Sequence, residues 1–249
     1  MTESPKIAVS IPDTHVPYHD TRSIDNVLEY ISDTKPDVVI QHGDGLDCES
    51  LSRFDKEPSR IACLQEEING LYHLWSEIKR AAPKARYVML EGNHEARLHK
   101  NLLRNPGLYG LQALKPESLF RLDELGVEWW PSSKTFRLNK NLVLTHGAND
   151  DGCKMSPHSA YSAKANLDKW GVSGISGHTH RFGSHYKTLA EEILGWHEIG
   201  TLSQLNPGYV KNPNWQQGFA TTHYTRNRFH VVPTLITNHQ FIANGRKYG

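Results

Sequence analysis

The chain has 249 residues, of which 37% are hydrophobic and 22% are charged, a composition typical of a soluble globular protein with a substantial core. Basic and acidic side chains number 28 and 27, which argues against a dedicated binder of long nucleic-acid duplexes but leaves room for a local basic groove. No run is long enough to span a bilayer and the start lacks signal-peptide features, so we expect a cytoplasmic protein without a membrane partner. The three cysteines form no CxxC pair, so neither a zinc knuckle nor a disulfide framework is indicated.

The first ninety residues alternate strand and helix patterns, which is typical of βαβ units. Buried strands are predicted at residues 6–11, 37–40 and 86–90. A helix is predicted at residues 23–31, and a longer one at residues 61–82, where apolar residues recur at steps of three and four up to Pro83. We expect the apolar face of the longer helix to pack in the core rather than to form a dimer interface.

The second half of the chain is more varied. Residues 96–141 show only short helical pieces and turns, and we expect 97–141 to be a variable segment. Strands are predicted at residues 142–145 and 172–175, with a helix at residues 160–170 between them. Further strands are predicted at residues 196–200, 220–224, 229–236 and 240–243. We expect this β-rich part, residues 196–249, to form a second, more antiparallel sheet within one domain that covers residues 1–249.

Five short motifs rich in His, Asp and Asn stand out along the chain. In order they are Asp13-Thr-His15, Gly43-Asp44-Gly-Leu-Asp47, Gly92-Asn93-His94-Glu95, His146-Gly147 and Gly177-His178-Thr-His180. Each directly follows a predicted strand, and the carboxyl ends of parallel strands gather ligands and catalytic groups at one edge of a sheet. A single HxH is weak because a chain with 15 histidines contains about one by chance. The order and placement of all five motifs therefore carry the signal.

This order of motifs resembles that of the calcineurin-like metallophosphoesterase family, over residues 13–180. The resemblance implies an α/β fold, a four-layer α/β/β/α sandwich of two mixed sheets flanked by helices, with two metal ions between the sheets. Carried over motif by motif, it assigns Asp13, His15 and His180 to the first ion and Asn93, His146 and His178 to the second. Asp44 is assigned as the bridge between the two ions.

The donor set fits such a pair of ions on chemical grounds. Four imidazoles, one amide and two carboxylates suit Mn, which we expect, or Fe, Ni or Zn, whereas an all-oxygen site for Ca or Mg would not need four histidines. Two divalent ions bring a charge of +4 and the two aspartates remove 2, so the site keeps about +2 and attracts a phosphate anion. A two-metal site lowers the pKa of a bound water, giving a hydroxide that attacks phosphorus in line.

Other residues near the motifs are candidates for proton transfer and substrate contact. His94 follows Asn93 and is the candidate general acid for the leaving group. In the related Ser/Thr phosphatases the second aspartate of GDxxD pairs with that histidine, and Asp47 matches it here. Arg97 opens a basic stretch, residues 97–104, that either contacts substrate phosphate or forms a solvated helix face, while Arg181 is placed for a phosphate contact. Trp215 either stacks a nucleotide base or packs its loop onto the core.

These patterns predict a metal-dependent phosphoric ester hydrolase. Ser/Thr phosphatases continue the second motif as GDxxDRG, whereas Cys48 and Glu49 follow Asp47 here, which disfavours protein phosphatase activity. The leading hypothesis is a phosphodiesterase that hydrolyses nucleotides or other organic phosphodiesters by attack of metal-bound hydroxide, with His94 as general acid. A nuclease resembling the DNA-repair branch of the family is the alternative, with nucleic acid as substrate, and a non-catalytic scaffold with this fold is a remote one. The oligomeric state is left open.

Overall fold

The computed structural model describes residues 4–53, 63–148, 151–206 and 212–249. The helices in these ranges are α1 Thr21–Thr34, α2 Leu64–Ala81, α3 Ala96–Arg104, α4 Pro116–Leu119, α5 Leu122–Leu125 and α6 Tyr161–Trp170, with short 3₁₀ turns at Glu49–Leu51 and Gln112–Leu114. The strands are β1 Lys6–Ile11, β2 Val38–Gln41, β3 Arg86–Leu90, β4 Val127–Trp130, β5 Phe136–Asn139, β6 Leu142–Thr145, β7 Ser173–Ser176, β8 Phe182–Thr188, β9 Ile193–Ile199, β10 Gln217–Tyr224, β11 Phe229–Ile236, β12 Phe241–Ala243 and β13 Arg246–Tyr248. No helix in the described ranges combines the length and apolar character needed to cross a membrane.

The first sheet has the strand order β11-β10-β1-β2-β3-β4. Strands β1 to β4 run parallel, and β10 adds antiparallel to β1, followed by β11. Strands β1, β2, β3 and β10 are largely buried on both faces, so their alternate residues enter different cores. Val39 packs with the core of α1 and α2, whereas Val38 and Ile40 pack in the cluster shared with the second sheet.

The second sheet has the order β5-β6-β7-β9-β8. Strands β6, β7 and β9 run parallel, and β5 and β8 are antiparallel edges. Trp196 on β9 is fully buried against Leu167 of α6, on the face away from the first sheet. The chain therefore stacks helices, sheet, sheet and helix, which confirms the predicted α/β/β/α sandwich.

The predicted strands and helices of the first half lie close to the observed ones. The helix predicted at 61–82 begins at Leu64 in the described residues, and residues 61 and 62 lie outside them. The variable segment contains two strands that the pattern did not show, β4 on the first sheet and β5 on the second. The sequence pattern does not predict β8, because it is a polar edge strand in which apolar and polar residues do not alternate clearly.

The expectation that the C-terminal strands form a second sheet is wrong. Only β9 joins the second sheet, whereas β10 and β11 extend the first one and β12 pairs with β13. The reason is burial on two faces, because β10 places Phe219 in the helix-side core and Ala220 in the core between the sheets. A strand apolar on both faces is stabilised in the interior of a sheet, beside β1, and not at an edge.

Candidate metal centre

Five parallel strands end at the five motifs. Strands β1, β2 and β3 of the first sheet and β6 and β7 of the second carry them at their carboxyl ends. Backbone N–H groups join the resulting loops, both between the two sheets and within the second sheet. The N–H of His178 donates to both carboxylate oxygens of Asp13 at 3.0 Å, and the N–H of Gly177 donates to the carbonyl of His146 at 2.9 Å. Residues from 13 to 180 thereby meet at one place.

One group of donors comprises Asp13, His15 and His180, all buried, with their ligand atoms within 4.8 Å of one another. Nε2 of His15 lies 3.0 Å from Nε2 of His180, and the latter nitrogen lies 3.7 Å from Oδ1 of Asp13. The structure thus brings together the three residues assigned to the first ion.

A second group comprises Asp44, His146 and His178, again within 4.8 Å. Nε2 of His146 lies 3.0 Å from Nδ1 of His178 and 2.9 Å from Oδ1 of Asn93. The three residues assigned to the second ion therefore also converge.

Asp44 lies between the two groups. Its Oδ2 is 3.7 Å from Nε2 of His15 and 3.3 Å from Nε2 of His146, and its side chain is buried. A single carboxylate in reach of both histidine sets has the position of a bridging ligand.

These residues fit divalent cations. Imidazole nitrogens face each other at 3.0 Å in two pairs, beside buried carboxylates, and an ion between such lone pairs satisfies all of them at once. Burial raises the pKa of Asp13 well above its usual value, so its ionised form needs a nearby positive charge. Burial also opposes charge on Asp44, but His146 and His94 hold the pKa of its carboxyl well below the usual range.

The backbone at the centre is strained. Five of the predicted ligands have left-handed φ angles that residues with a Cβ rarely adopt: Asp13 at 34°, His15 at 47°, Asp44 at 47°, His178 at 65° and His180 at 53°. Strain of this kind persists only where surrounding contacts fix the loop, and it concentrates at functional sites.

Two glycines make room for the aspartates. A Cβ on Gly177 would lie 2.2 Å from Oδ2 of Asp13, and a Cβ on Gly92 would lie 2.2 Å from both the amide nitrogen and Oδ1 of Asp44. Both distances are far below van der Waals contact, so only glycine allows these carboxylates their positions.

The side chain of Glu95 holds the loop that carries Asp44 through hydrogen bonds. Its buried carboxylate accepts three backbone N–H bonds, from Asp44 at 3.0 Å, Leu46 at 2.8 Å and Gly92 at 3.0 Å. Groups that orient ligands in this way tune both the geometry and the affinity of a metal site.

Three further supports lie outside the motifs or beside them. Asp151 accepts from the Oγ1 of Thr145 and the N–H of Gly147, both at 2.8 Å, and so orients the loop of His146. Glu198 accepts from the Oγ1 of Thr179 at 2.7 Å. No spacing rule predicts Asp151 or Glu198, because they reach the site only through the fold. His42 is buried between the sheets, where its ring contacts the Oγ of Ser10 and the carbonyl of Thr145.

His94 stands beside the donors, with Nε2 3.8 Å from Oδ2 of Asp44. Its Nδ1 lies 2.6 Å from the backbone carbonyl of Asp47 and 3.4 Å from Oδ1 of the same residue. The Asp47 carboxylate is closer to Nδ1 of His15, at 3.0 Å. Asp47 therefore contacts His94 mainly through its backbone and orients His15 with its side chain. Burial opposes charge on His94, but Asp44 and Asp47 outweigh it and raise the pKa of the imidazole.

Arg97 lies within reach of His94. Its Nη2 is 3.1 Å from Nε2 of His94, and its Nη1 donates to the carbonyl of Asp47 at 2.8 Å. Arg181 instead donates from Nη1 to the carbonyls of Ser156, at 3.1 Å, and Thr179, at 3.4 Å. Of the two predicted substrate contacts, the structure places Arg97 next to the proposed acid and engages Arg181 with loop backbone.

Trp215 is half-buried, with its ring edge-on to His180 and the centroids 4.4 Å apart. Part of its predicted loop, residues 207–211, lies outside the described residues. The contact places Trp215 beside a predicted ligand, where it limits the movement of the His180 ring.

Comparison with known proteins places the chain in a family. The model of the calcineurin-like phosphoesterases matches residues 9–182. The gene 54 protein of Mycobacterium phage L5 is 30% identical over 265 aligned positions, covering 97% of this chain and 98% of that protein, and that of Mycobacterium phage D29 is 32% identical over 249, covering 93% of each. Among solved structures, Vacuolar Protein Sorting 29 from Cryptosporidium parvum is 15% identical, with a TM-score of 0.48 over 98% of this chain and 95% of that one. The chain, with its buried His/Asp clusters, belongs to the calcineurin-like phosphoesterase family.

Proposed function

We propose that this protein is a metal-dependent phosphodiesterase that hydrolyses nucleotides or other organic phosphodiesters. The observation that carries the proposal is the position of Asp44 between two histidine sets, with His94 alongside. A pair of ligand sets with a shared carboxylate is the arrangement that two-metal phosphoryl chemistry requires.

The centre would hold two divalent ions, with Mn²⁺ expected and Fe, Ni or Zn as alternatives. When bound, such ions supply positive charge to a phosphoryl group and lower the pKa of water for attack on phosphorus. The protein's part is to fix the donors. The left-handed loops, Glu95 and the two glycines hold Asp13 and Asp44 in place before any substrate arrives.

His94 is the proposed general acid. The Asp47 carbonyl accepts from Nδ1 and so directs Nε2 toward Asp44 and the reacting centre. Arg97 has only donors, so its contact with Nε2 holds when that nitrogen is unprotonated. When Nε2 carries the proton for the leaving alkoxide, the Nη2 of Arg97 is released toward a phosphoryl oxygen.

The second motif supports diesters over phosphoproteins. The position that carries the phosphate-gripping arginine in Ser/Thr phosphatases is Cys48 here, and its side chain is fully buried. Its N–H donates to the Glu67 carboxylate at 2.6 Å, on the side of α2. A dianionic monoester therefore lacks that arginine as a partner, whereas a diester carries one charge fewer and depends less on it.

Retention of His94 and of all seven predicted ligands supports an enzyme over a scaffold. Burying so many donors without a bound cation is costly, so the set favours a metal-dependent enzyme.

The test uses purified protein with Mn²⁺ and bis-p-nitrophenyl phosphate, beside the monoester p-nitrophenyl phosphate. We expect metal-stimulated turnover with preference for the diester, abolished in Asp44→Asn and retained in Asp25→Asn, a change at an exposed site on α1. Absence of metal-stimulated turnover of both compounds, from acid to alkaline pH, would contradict the proposal.

A further inference from the structure

Helix α3 carries a basic stripe that starts at the metal centre. Arg97, Lys100, Asn101 and Arg104 follow at steps of three and four, so they share one face of the helix. A neighbouring side of the helix packs into the core through Leu98. At about 1.5 Å of rise per residue, the stripe runs roughly 10 Å away from the centre.

The stripe forms one wall of a cleft of about 260 Å³. The described residues that line it are Leu51, Ser52, Arg53, Asn93, Arg97, Lys100, Asn101 and Arg104. Asn93, a predicted metal ligand, forms its inner end, so the cleft is continuous with the reacting centre. Four lining residues are cationic, and none of the described lining residues is acidic.

The walls of the cleft are tied together. Asn101 donates to the carbonyl of Leu51 at 3.0 Å, and Arg97 donates to the carbonyls of Asp47 and Cys48. The backbone segments that carry the cations are therefore held in place, so less conformational freedom is lost when an anion binds.

The positive charge of this cleft is large compared with the net charge of the whole chain. The formal net charge of the protein is +1, yet this one cleft gathers four positive charges beside a metal centre that itself attracts phosphate. A single small phosphoester needs only the centre. Several cations in a row match a ligand with phosphates in a row.

We propose that the cleft binds the backbone of a single-stranded oligonucleotide, whose scissile phosphodiester lies at the metal centre and whose neighbouring phosphates lie along α3. This inference rests on the proposed phosphodiesterase function and names the substrate class of the same site. A stacked strand rises about 3.4 Å per phosphate along its axis, so a stripe of roughly 10 Å covers at most about three phosphates, and fewer in an extended strand.

A single strand fits better than a duplex because the reacting groups are recessed. Asp13 and Asp44 are buried, and the His94 side chain is only 16% exposed. A flexible strand can bend its backbone into this recess, whereas a duplex is stiff, with a persistence length of about 50 nm.

The test compares wild type with Lys100→Ala/Arg104→Ala, which removes two exposed cations at the outer end of the cleft. The measured quantity is the ratio of kcat/KM for a single-stranded ten-nucleotide substrate to kcat/KM for bis-p-nitrophenyl phosphate. We expect the ratio to fall about 30-fold. The slope of log affinity against log salt, which is negative, should become shallower by about 1.4, or about 0.7 per lost phosphate contact. The matched control, Lys6→Ala/Lys84→Ala, removes the same charge at the opposite end of strands β1 and β3 and should keep the wild-type ratio.

Each outcome decides a separate point. Turnover of the small diester with an unchanged ratio in the cleft variant would overturn the cleft and leave the phosphodiesterase intact. Faster cleavage of a duplex of the same sequence would overturn the assignment to single strands. If neither substrate is hydrolysed, the proposed function fails, and the fluorescence anisotropy of a labelled single strand then decides the cleft. Weaker binding by the variant than by wild type supports it, and equal binding overturns it.

Discussion

The metal centre and the basic cleft adjoin at Asn93 but are built in opposite ways. At the centre, buried carboxylates and imidazoles lie on strained loops that hydrogen bonds hold in place, and Glu95 alone accepts from three N–H groups. In the cleft, Lys100 and Arg104 are exposed side chains on one short helix. The centre is fixed by loops from both sheets, whereas the cations of the cleft lie on one helix and the neighbouring segment of Arg53.

This difference separates chemistry from specificity. A site whose donors come from five strands in two sheets tolerates almost no change, because a shift in one loop moves several ligands. An exposed helix face can change its charges without disturbing the core, since surface substitutions cost little stability. Substitutions at the metal centre should therefore change the turnover of every substrate, whereas substitutions in the cleft should change which substrate is preferred.

The largest effect is expected from Gly177→Ala. The new methyl would clash with the Asp13 carboxylate at 2.2 Å, so we expect diester turnover to fall more than about 10³-fold together with metal content. Gly107→Ala, where no atom lies within 4 Å of the added methyl, is the matched control and should behave as wild type. Full activity of Gly177→Ala would show that the Asp13 position is not required.

His94→Ala should lower kcat by roughly 10²-fold or more while the metal content stays at the wild-type level. The reason is that His94 lies beside the donors without belonging to either predicted ligand set. His99→Ala, at an exposed position on α3, controls for loss of an imidazole nearby. Loss of metal in His94→Ala would make its role structural and weaken the division between ligands and acid.

Glu95→Gln tests whether support of the Asp44 loop matters. The amide would turn an NH₂ group toward backbone N–H groups that now donate to a carboxylate, so we expect metal affinity to fall about 10–100-fold in a metal titration. Glu128→Gln changes an exposed carboxylate paired with Arg86 and serves as the control. Equal metal affinity in wild type and Glu95→Gln would mean that the ligands alone fix the geometry.

The smallest effect concerns Glu67, behind the loop of Asp47. Burial, and the nearby carboxylate of Asp47, raise the pKa of Glu67 to about 7. Its contribution to stability is thus fully present below pH 4.5, the ordinary value, and is lost as pH rises through about 7. The drop in Tm between pH 5 and pH 8 should be smaller in Glu67→Gln than in wild type by about 2–4 °C. An equal drop in both proteins would exclude this group as a source of pH sensitivity.

Much of this architecture could be predicted from the sequence where local pattern and position coincide. Asp13, Asp44 and Asn93 follow strands whose buried runs are plain in the sequence, so their convergence could be predicted from sheet geometry. The sheet membership of β10 could not, because it depends on which edge remains open once β1 to β4 have paired. Asp151 and Glu198 could not be predicted either, since only the fold of the second sheet brings them near the site.

The cleft shows the same limit in another form. The basic stretch at residues 97–104 was visible in the sequence, but a solvated helix face gives the same pattern. The tie between Asn101 and Leu51, and the opening of the cleft onto Asn93, are what distinguish the two interpretations.

The most direct test of the two-metal centre is a titration of metal-free protein with Mn²⁺, following initial rates of bis-p-nitrophenyl phosphate hydrolysis. The arrangement around Asp44 predicts turnover that rises with added metal and reaches its plateau at about two ions per chain. A plateau at one ion per chain, or no metal-stimulated turnover at any pH, would contradict it.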